Sequence, residues 1–365
     1  MTIKDIIQII EKSAPRAYAE EWDNVGLLIG NEDDTANGVL IALELTDTVL
    51  QEAIDGGFNL ILTHHPLIFS GIKKINPHDP TGRMIRQAIA HNIAVYAAHT
   101  NLDNAPDGVN HILARKIGLQ ESAILSPQQH QLSKLVTFVP VQHTQKVREA
   151  IFAAGAGCIG NYDFCSFAVE GEGTFRAGEQ THPFAGEAGK YHTEKEHRIE
   201  TVFPTYLRRQ VVAALVAAHP YEEPAYDLYQ LENTTGQTGS GVIGTLPEPM
   251  DEKDFLLRLK QILNIPVLRH SGLIGKQVRK VALCGGSGSF LIRSALERNA
   301  DVFITADLKY HDFFTPDKKM LLVDAGHYET EQFATSILLD ILKQNFSNFA
   351  AQISVHSTNA VKYLI

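Results

Sequence analysis

The chain has 365 residues, 44% of them hydrophobic and 20% charged, a balance typical of globular proteins that excludes the disordered and fibrous classes. This length exceeds one ordinary hydrophobic core, so we expect two or three domains. The formal net charge of −10 argues against a broad nucleic-acid-binding surface, because such surfaces rely on clustered Lys and Arg.

The N-terminal segment predicts an amphipathic helix and not a targeting signal. Isoleucines recur at helical spacing over residues 3–10, and no secretory cleavage pattern follows them. No window approaches the ~18 uninterrupted apolar residues of a membrane span. The three cysteines, Cys158, Cys165 and Cys284, show no CxxC spacing, which fits a reducing compartment and predicts buried thiols. We expect a cytoplasmic protein with no membrane partner.

The first third of the chain alternates between apolar runs and helical stretches. Buried strands are predicted at 38–45, 58–63 and 93–100, and helices at 48–56 and 81–91. Because parallel strands need a crossover connection between them, this alternation indicates βαβ units and an α/β architecture.

The pattern changes in the middle of the chain. From Leu132 onward we predict a strand, a helix over 144–154, a strand near 164–170, an excursion rich in Gly and His, a strand at 198–204, a helix through 207–219 and a strand at 225–231. The order β–α–β followed by β–α–β predicts a ferredoxin-like α+β domain over residues 131–233.

The α/β pattern resumes after a polar, glycine-rich segment at 233–244, which we interpret as a return linker. Buried strands are predicted at 278–288, 300–308 and 319–326, and a helix opens at His327. The predicted fold is therefore α/β, with two similar α/β halves, residues 1–130 and 234–365, interrupted by the inserted domain.

Two adjacent histidines, His64 and His65, directly follow a predicted strand. Ligands in open α/β sheets gather beyond the carboxyl ends of the strands, where this pair should lie. Neighbouring side chains on an extended backbone point apart, so the pair could serve two metals, or one metal and a substrate. The alternative is two solvent-exposed loop histidines.

Three further candidate ligands, Asp103, His327 and Glu331, also lie just beyond predicted strands. Asp103 alone would be read as a turn residue, and the His–x3–Glu spacing places His327 and Glu331 on one helix face. Together with the histidine pair they form an imidazole and carboxylate set that suits Zn, Mn, Fe or Co. A bridging carboxylate would allow two ions about 3.5–4 Å apart.

Several motifs carry a resemblance to a known family. They are EEWDNVGLLIG (20–30), LILTHHPLIF (60–69), AAHTNLDNAPDGVN (97–110), ITADLKYHDF (304–313) and DAGHYETEQF (324–333). The sequence resembles the Nif-three-like family, whose members are often labelled GTP cyclohydrolase 1 type 2 homologues. The resemblance implies a dinuclear metal centre at the positions of His64, His65, Asp103, His327 and Glu331.

The resemblance extends to the middle of the chain. It implies the long bacterial form of the family, with an inserted domain similar to the PII and CutA folds that closes near HPYEEPAYDL (219–228). It also implies a homohexameric ring in which the metal sites face an internal cavity.

Other polar groups carry weaker signals. His99 and His311 are candidates for proton transfer or for supporting the metal ligands, and structural roles explain them as well. The turn GGSGS at 285–289 could contact phosphate or be a purely structural turn. Irregularly spaced histidines of the inserted domain fit surface loops better than a second metal site, and Tyr221, Glu222 and Glu223 are read as hairpin or interface residues.

The combined signals predict a metal-dependent hydrolase that acts on a nucleotide or related phosphorylated compound. It would hold two divalent ions per chain, preferably Zn, with Fe, Mn or Co as alternatives. The competing hypothesis is a non-catalytic metal-binding protein with a regulatory or assembly role, whose inserted domain binds a small ligand or partner.

Overall fold

The computed structural model describes residues 1–364, a mixed α/β fold with several sheets that divides into two compact units. Unit 1 combines residues 1–127 with the chain from Gly236 onward, and unit 2 is the intervening segment Gln128–Thr235. Each unit has a hydrophobic core of its own.

The helices follow the sequence in this order: α1 (Ile3–Ser13), α2 (Asp47–Gly56), α3 (Pro80–Ala90), α4 (Thr100–Asp103), α5 (Val109–Ile117), α6 (Thr144–Ala153), α7 (Arg208–Ala218), α8 (Glu252–Leu263), α9 (Ile292–Glu297), α10 (His327–Glu331) and α11 (Ala334–Asn345). Short 3-10 helices lie at Arg16–Tyr18, Val141–His143, Thr205–Leu207, Ser289–Leu291 and Tyr310–Phe314.

The strands are β1 (Gly26–Ile29), β2 (Val39–Ala42), β3 (Leu60–Thr63), β4 (Ala94–Ala97), β5 (Gln120–Pro127), β6 (Leu132–Pro140), β7 (Phe167–Arg176), β8 (Tyr191–Pro204), β9 (Tyr226–Gln230), β10 (Gly239–Asp251), β11 (Arg269–His270), β12 (Gln277–Ser287), β13 (Val302–Ala306), β14 (Leu321–Asp324) and β15 (Ala351–Ile353).

The first sheet of unit 1 has the strand order β1-β4-β3-β2-β15. Strands β4, β3, β2 and β15 run parallel, and β1 is antiparallel at one edge. The three central strands are buried along their whole length, as expected for a parallel sheet covered on both faces. Helices α1 and α11 cover one face, and α2 and α3 cover the other.

The second sheet of unit 1 has the order β11-β14-β13-β12-β10-β5. Strands β12, β13 and β14 form its parallel centre, and the outer strands pair antiparallel. Helices α5 and α8 pack on one face and α9 on the other. Each sheet takes one strand from the far side of the insertion, since β5 joins the second sheet and β15 joins the first. The two halves of the sequence are therefore interlocked.

The predicted linker over 233–244 is wrong in its second part. From Gly239 the chain forms β10, which pairs with β5 on one side and β12 on the other. The glycines and polar residues of this stretch are typical of linkers, but Val242, Ile243 and Leu246 are buried in the adjoining cores. Cross-strand pairing and burial thus override the local composition.

Unit 2 has an antiparallel sheet with the order β7-β8-β6-β9, and helices α6 and α7 pack together against it. Its most extended feature is the hairpin of β7 and β8, in which ten residue pairs lie in register from Phe167 and Glu200 to Arg176 and Tyr191. The Gly- and His-rich excursion expected from the sequence forms the end of this hairpin.

The cysteines differ in their exposure. Cys284 is buried in β12, Cys165 is half-buried, and Cys158 is exposed, so the expectation that all three are buried is wrong. Cys158 lies in the loop after α6, which gives its side chain no core to enter. None of the helices in residues 1–364 combines the length and apolar composition that a membrane crossing requires.

The buried strand β13 provides a test of the core. Phe303 is fully buried, whereas the Phe314 side chain is 64% exposed. We expect Phe303→Ala to lower the free energy of unfolding by about 3–5 kcal/mol, because it leaves a cavity, and Phe314→Ala to change it by less than about 1 kcal/mol. Urea denaturation measures both, and equal effects of the two changes would contradict this description of the core.

Candidate metal centre

Polar side chains from both sheets of unit 1 meet beyond the carboxyl ends of their strands. His64 and His65 follow β3, and His99 follows β4 at the start of α4. From the second sheet, Asp307 follows β13, and α10 with Glu331 follows β14. The sequence-based expectation that these strand ends converge agrees with this placement.

Three of the predicted ligands form one tight group. Glu331 Oε2 lies 2.9 Å from the Nε2 atoms of both His65 and His327, and these two Nε2 atoms lie 3.2 Å apart. The spacing of His327 and Glu331 along α10 places both side chains on the same helix face. The three atoms could hold one metal ion between them.

A second group contains atoms that lack any hydrogen bond. His64 Nε2 and Asp103 Oδ1 are buried, lie 3.5 Å apart, and have no hydrogen-bond partner within residues 1–364. Glu331 Oε2 lies 3.9 Å from His64 Nε2. Buried polar atoms without partners are rare, and each calls for an explanation such as an ion. His64, Asp103 and Glu331 could hold a metal ion.

The two groups share Glu331, which stands between the His64 and His65 sides of the cluster. A third group of suitable spacing contains His64, His65 and His99. All five predicted ligands are therefore brought together. His99 lies within metal-binding distance of His64 and His65.

Every histidine in the cluster is fixed through its Nδ1 atom. His64 donates to the carbonyl oxygen of Ala98 at 2.8 Å, and His65 is bonded to Glu44 at 3.1 Å. The corresponding partners of His99 and His327 are Asp23 at 2.9 Å and Asp307 at 2.6 Å. Since each Nδ1–H donates to an oxygen, each Nε2 is the atom that faces the centre. Such partners orient metal-binding imidazoles and raise their basicity.

Within the Glu331 group, the carboxylate and the two imidazoles stabilise one another's charged forms. Burial lowers the pKa of His65, but its hydrogen bonds to the carboxylates of Glu331 and Glu44 outweigh burial and raise the pKa to about 10. The same competition, with Glu331 and Asp307 as partners, raises the pKa of His327 to about 9. Burial raises the pKa of Glu331, yet hydrogen bonds from His327 and His65 hold it well below its usual range.

The His64 group has the opposite character. Burial is the main cause that lowers the pKa of His64 to about 3, so this imidazole is neutral and presents the lone pair of Nε2. Burial, followed by repulsion from Glu331, raises the pKa of Asp103 well above its ordinary value. A buried imidazole lone pair facing a buried carboxyl group is an arrangement that a cation would stabilise.

The glycine turn at 285–289 packs against the cluster. The amide of Gly285 donates to Asn110 Oδ1, and that of Gly286 donates to Thr330 Oγ1. Gly286 has a φ of +58°, and a Cβ atom there would lie 2.0 Å from Glu331 Oε1. Two amides of the turn are engaged by side chains, and the absence of a side chain at Gly286 makes room for Glu331.

The cluster opens into a cavity of about 970 Å³. Trp22 and Phe69 stand at its exposed side with ring centroids 5.9 Å apart and planes 18° from parallel, and His99 packs edge-on against both. His311 does not line this cavity. Its exposed ring lies against Tyr310 and Phe314 in a 3-10 helix, away from the cluster.

Sequence reasoning missed two acidic residues, Glu44 and Asp307, which orient His65 and His327. The signal was present, because Glu44 follows β2 and Asp307 follows β13, the same strand-end position that singled out the ligands. Asp23 orients His99 in the same way. Its carboxylate bonds His99 Nδ1 and both the amide and the hydroxyl of Thr100.

The pKa of Asp23 yields a prediction. Burial raises it, but the hydrogen bonds from His99 and Thr100 outweigh burial and lower it to about 2. A carboxyl group with a lowered pKa stabilises the fold above its unfolded pKa, and the stabilisation is lost as the pH falls toward the folded value. We expect Asp23→Asn to cost about 2 kcal/mol of unfolding free energy at pH 7, and the difference from wild type to shrink below about pH 4.

Urea denaturation of the metal-free protein between pH 3 and 7 measures this difference. The exposed Asp33→Asn is the matched control and should behave as wild type throughout. A difference that stays constant down to pH 3 would contradict the role assigned to the Asp23 carboxylate.

Comparison with known proteins places the chain among close relatives. The sequence model of the family Duf34/NIF3 (NGG1p interacting factor 3) matches residues 1–362. A GTP cyclohydrolase 1 type 2 homolog of Halalkalibacterium halodurans is 43% identical over 327 residues, covering 88% of this chain and 87% of that protein. The protein of the same name from Bacillus subtilis is 40% identical over 361 residues, covering 98% and 96%.

Comparison with solved structures indicates the same family. The crystal structure of a Bacillus cereus protein related to NIF3 superposes with a TM-score of 0.86 at 39% identity, and the match covers 100% of this chain and 99% of the other. Sequence and structure therefore agree along the whole length, and the resemblance seen in the motifs is confirmed. The chain belongs to the DUF34/NIF3 family.

Proposed function

We propose that this protein is a metal-dependent hydrolase whose centre holds two divalent cations through His64, His65, Asp103, His327 and Glu331. The single observation that carries the proposal is the pair of buried atoms without hydrogen bonds, His64 Nε2 and Asp103 Oδ1, which lie 3.5 Å apart. Glu331 belongs to both candidate groups, so its carboxylate would help to hold either ion.

The residues present fit such a pair of ions. The donor set consists of imidazole nitrogens and carboxylate oxygens, which suits Zn, with Fe, Mn and Co as alternatives. Burial keeps His64 neutral with a lone pair on Nε2, and a bound ion would replace the hydrogen bonds that His65 and His327 make to Glu331. Bound divalent ions would lower the pKa of water toward neutrality and polarise the scissile group.

His99 is the residue that would transfer a proton at this site. Its Nδ1–H donates to Asp23, whose carboxylate is fixed by three hydrogen bonds from His99 and Thr100. A buried carboxylate that orients an imidazole is the arrangement that supports His as a general base in other hydrolases. Asp23 is then a positioning residue, because it acts through His99.

The cavity walls indicate how a nucleotide would bind. The stacked pair Trp22 and Phe69, whose side chains are 60% and 52% exposed, offers a flat surface to a purine or similar ring next to His99. Seven carboxylates line the cavity, whereas its one guanidinium, Arg269, is already paired with Asp324 at 2.9 Å. Phosphate groups would therefore depend on the metal ions for charge compensation.

The names of the relatives make a purine nucleotide the first substrate class to test, since they are called GTP cyclohydrolase 1 type 2 homologs. The GTP cyclohydrolase reaction opens a purine ring and begins with hydrolytic attack on that ring. Hydrolytic attack is also the chemistry proposed for this centre.

Unit 2 supports the second candidate function, a regulatory or assembly protein. Its antiparallel sheet β7-β8-β6-β9 with two helices packed on it supports the proposal of a ferredoxin-like insertion. It also contains a cavity of about 990 Å³ that is separate from the metal centre. A ligand bound there would make this unit a sensor, whether or not the centre in unit 1 is catalytic.

The glycine turn gives a prediction that is independent of substrate. Gly286→Ala should displace the Glu331 carboxylate, because the new Cβ would overlap Oε1 and the residue has a positive φ. We expect metal affinity to fall by about 10–100-fold, measured by competition with a chromogenic chelator. Gly272→Ala is the control, since a Cβ there meets nothing within 4 Å. Equal affinities of the two variants would contradict the position of Glu331.

The proposal itself is tested by metal content and turnover of the same preparations. Wild type, His65→Ala and Glu331→Gln are reconstituted separately with Zn, Mn, Fe and Co, and then given GTP and a panel of other nucleotides. We expect about two ions per wild-type chain, loss of at least one ion in each variant, and a fall in turnover of about a thousandfold or more.

His311→Ala is the histidine control and should keep both metal and turnover, because His311 lies outside the cavity. Full metal occupancy in His65→Ala and Glu331→Gln would show that the ligand assignment is wrong. Metal loss with no turnover by any wild-type form would favour the regulatory function instead.

A further inference from the structure

The cavity of unit 2 has a volume of about 990 Å³, within the range of small-molecule sites. It is lined by residues of β7 and β8, of the end of their hairpin and of the segment that follows α7. All of its lining residues belong to unit 2, so the cavity is distinct from the metal centre.

A buried carboxylate lines this cavity. Glu196 in β8 is 7% exposed, and its Oε1 accepts a hydrogen bond of 2.7 Å from the Tyr221 hydroxyl. Its other oxygen, Oε2, has no hydrogen-bond partner in the part of the chain that the structure describes. A Cβ atom at Gly173 would lie 2.1 Å from Oε2, so the glycine on the neighbouring strand leaves the space that this carboxylate occupies. A carboxylate oxygen that accepts no hydrogen bond from the protein is free to accept one from a bound ligand or to pair with a cation.

Aromatic rings lie near Tyr221, the hydrogen-bond partner of this carboxylate. The ring centroid of Tyr221 lies 5.9 Å from that of Phe175 and 6.2 Å from that of Phe184, and the planes are inclined by 58° and 45°. All three side chains line the cavity. Inclined ring faces beside a carboxylate attract organic cations, because the faces of aromatic rings carry negative charge density.

The charges of the lining favour a cation over an anion. Four glutamates line the cavity, whereas Arg176 and Arg198 are its two cationic residues. Arg198 is paired with Glu200 at 2.9 Å, and Arg176 is the exposed last residue of β7. The pKa of Tyr221 is raised by burial and then by Glu196 and Glu194, which is consistent with a negative potential here.

A metal ion does not fit this place. Within residues 1–364, the groups of three or more His, Cys, Asp or Glu side chains with metal-binding spacing all belong to the centre in unit 1, and none contains Glu196. A metal ion needs several ligand atoms, and this place supplies one carboxylate. One carboxylate beside aromatic rings suits an organic ammonium ion better.

We propose that the cavity of unit 2 binds a small organic ammonium compound, with its cationic nitrogen at Glu196 Oε2 and its carbon atoms against Phe175, Phe184 and Tyr221. The site assigns a function to the insertion that is independent of hydrolysis in unit 1. Tyr221, read from the sequence as a hairpin or interface residue, forms one wall of the site and holds the carboxylate in place.

Isothermal titration of the full-length protein tests the proposal with three probes. Choline and putrescine are the ammonium probes, and 3,3-dimethyl-1-butanol is the neutral analogue of choline with the same shape. We expect at least one ammonium probe to saturate one site per chain below roughly 5 mM, and the neutral analogue to show no saturation. Binding of putrescine but not choline would indicate that an N–H donated to Oε2 is required, and the reverse would indicate that the aromatic walls dominate.

Variants locate the site. Glu196→Gln keeps an acceptor for Tyr221 while removing the charge, and should weaken binding by about tenfold or more. Phe184→Ala should weaken it by about three- to tenfold, and because this side chain is 52% exposed its loss does not threaten folding. Glu170→Gln removes an exposed charge of β7 outside the cavity and should bind as wild type does.

Circular dichroism and thermal melting establish that each variant is folded before its affinity is compared. The proposal is overturned if neither ammonium probe saturates the wild-type protein, if Glu196→Gln binds as tightly as wild type, or if the neutral analogue binds equally well.

Discussion

The candidate centre depends on one recurring interaction, the hydrogen bond that fixes each histidine through Nδ1. The acceptors are the backbone carbonyl of Ala98 and the carboxylates of Glu44, Asp23 and Asp307. Because every Nδ1–H is committed outward, four Nε2 atoms are directed into one small volume. The free choice of tautomer and ring orientation, which would otherwise oppose ion binding, is thereby removed before an ion arrives.

The scaffold that makes this possible is the pair of interlocked sheets in unit 1. His64, His65 and His99 come from the ends of strands in the first sheet, whereas His327 and Glu331 come from the second. A centre built at the meeting of two sheets needs both sheets held in a fixed relation. The strands β5 and β15, each of which crosses to the sheet of the other half, provide that constraint.

Much of this centre is predictable from the sequence because its ligands obey a simple rule. Polar residues within a few positions of buried apolar runs lie near the carboxyl ends of strands, and His64, Asp103 and His327 all satisfy this rule. The rule does not tell which way a side chain points. His311 follows a strand no more distantly than some of the ligands do, yet its ring packs on Tyr310 and Phe314. The sequence also did not predict that β5 joins the second sheet and β15 the first, because pairing between strands far apart in the sequence leaves no local signal.

The parallel pairing of β15 with β2 also affects how the chain folds during synthesis. Val39 of β2 pairs with Ala351, so more than 300 residues separate the two partners. At about 5–20 residues per second, the ribosome needs roughly 15–60 s to deliver the second partner after the first. Until then one edge of the first sheet has no neighbouring strand, whereas unit 2 is contiguous and can fold as soon as Thr235 has emerged. The insertion can therefore fold first, and the nascent N-terminal half is the part of the chain most exposed to wrong strand pairing.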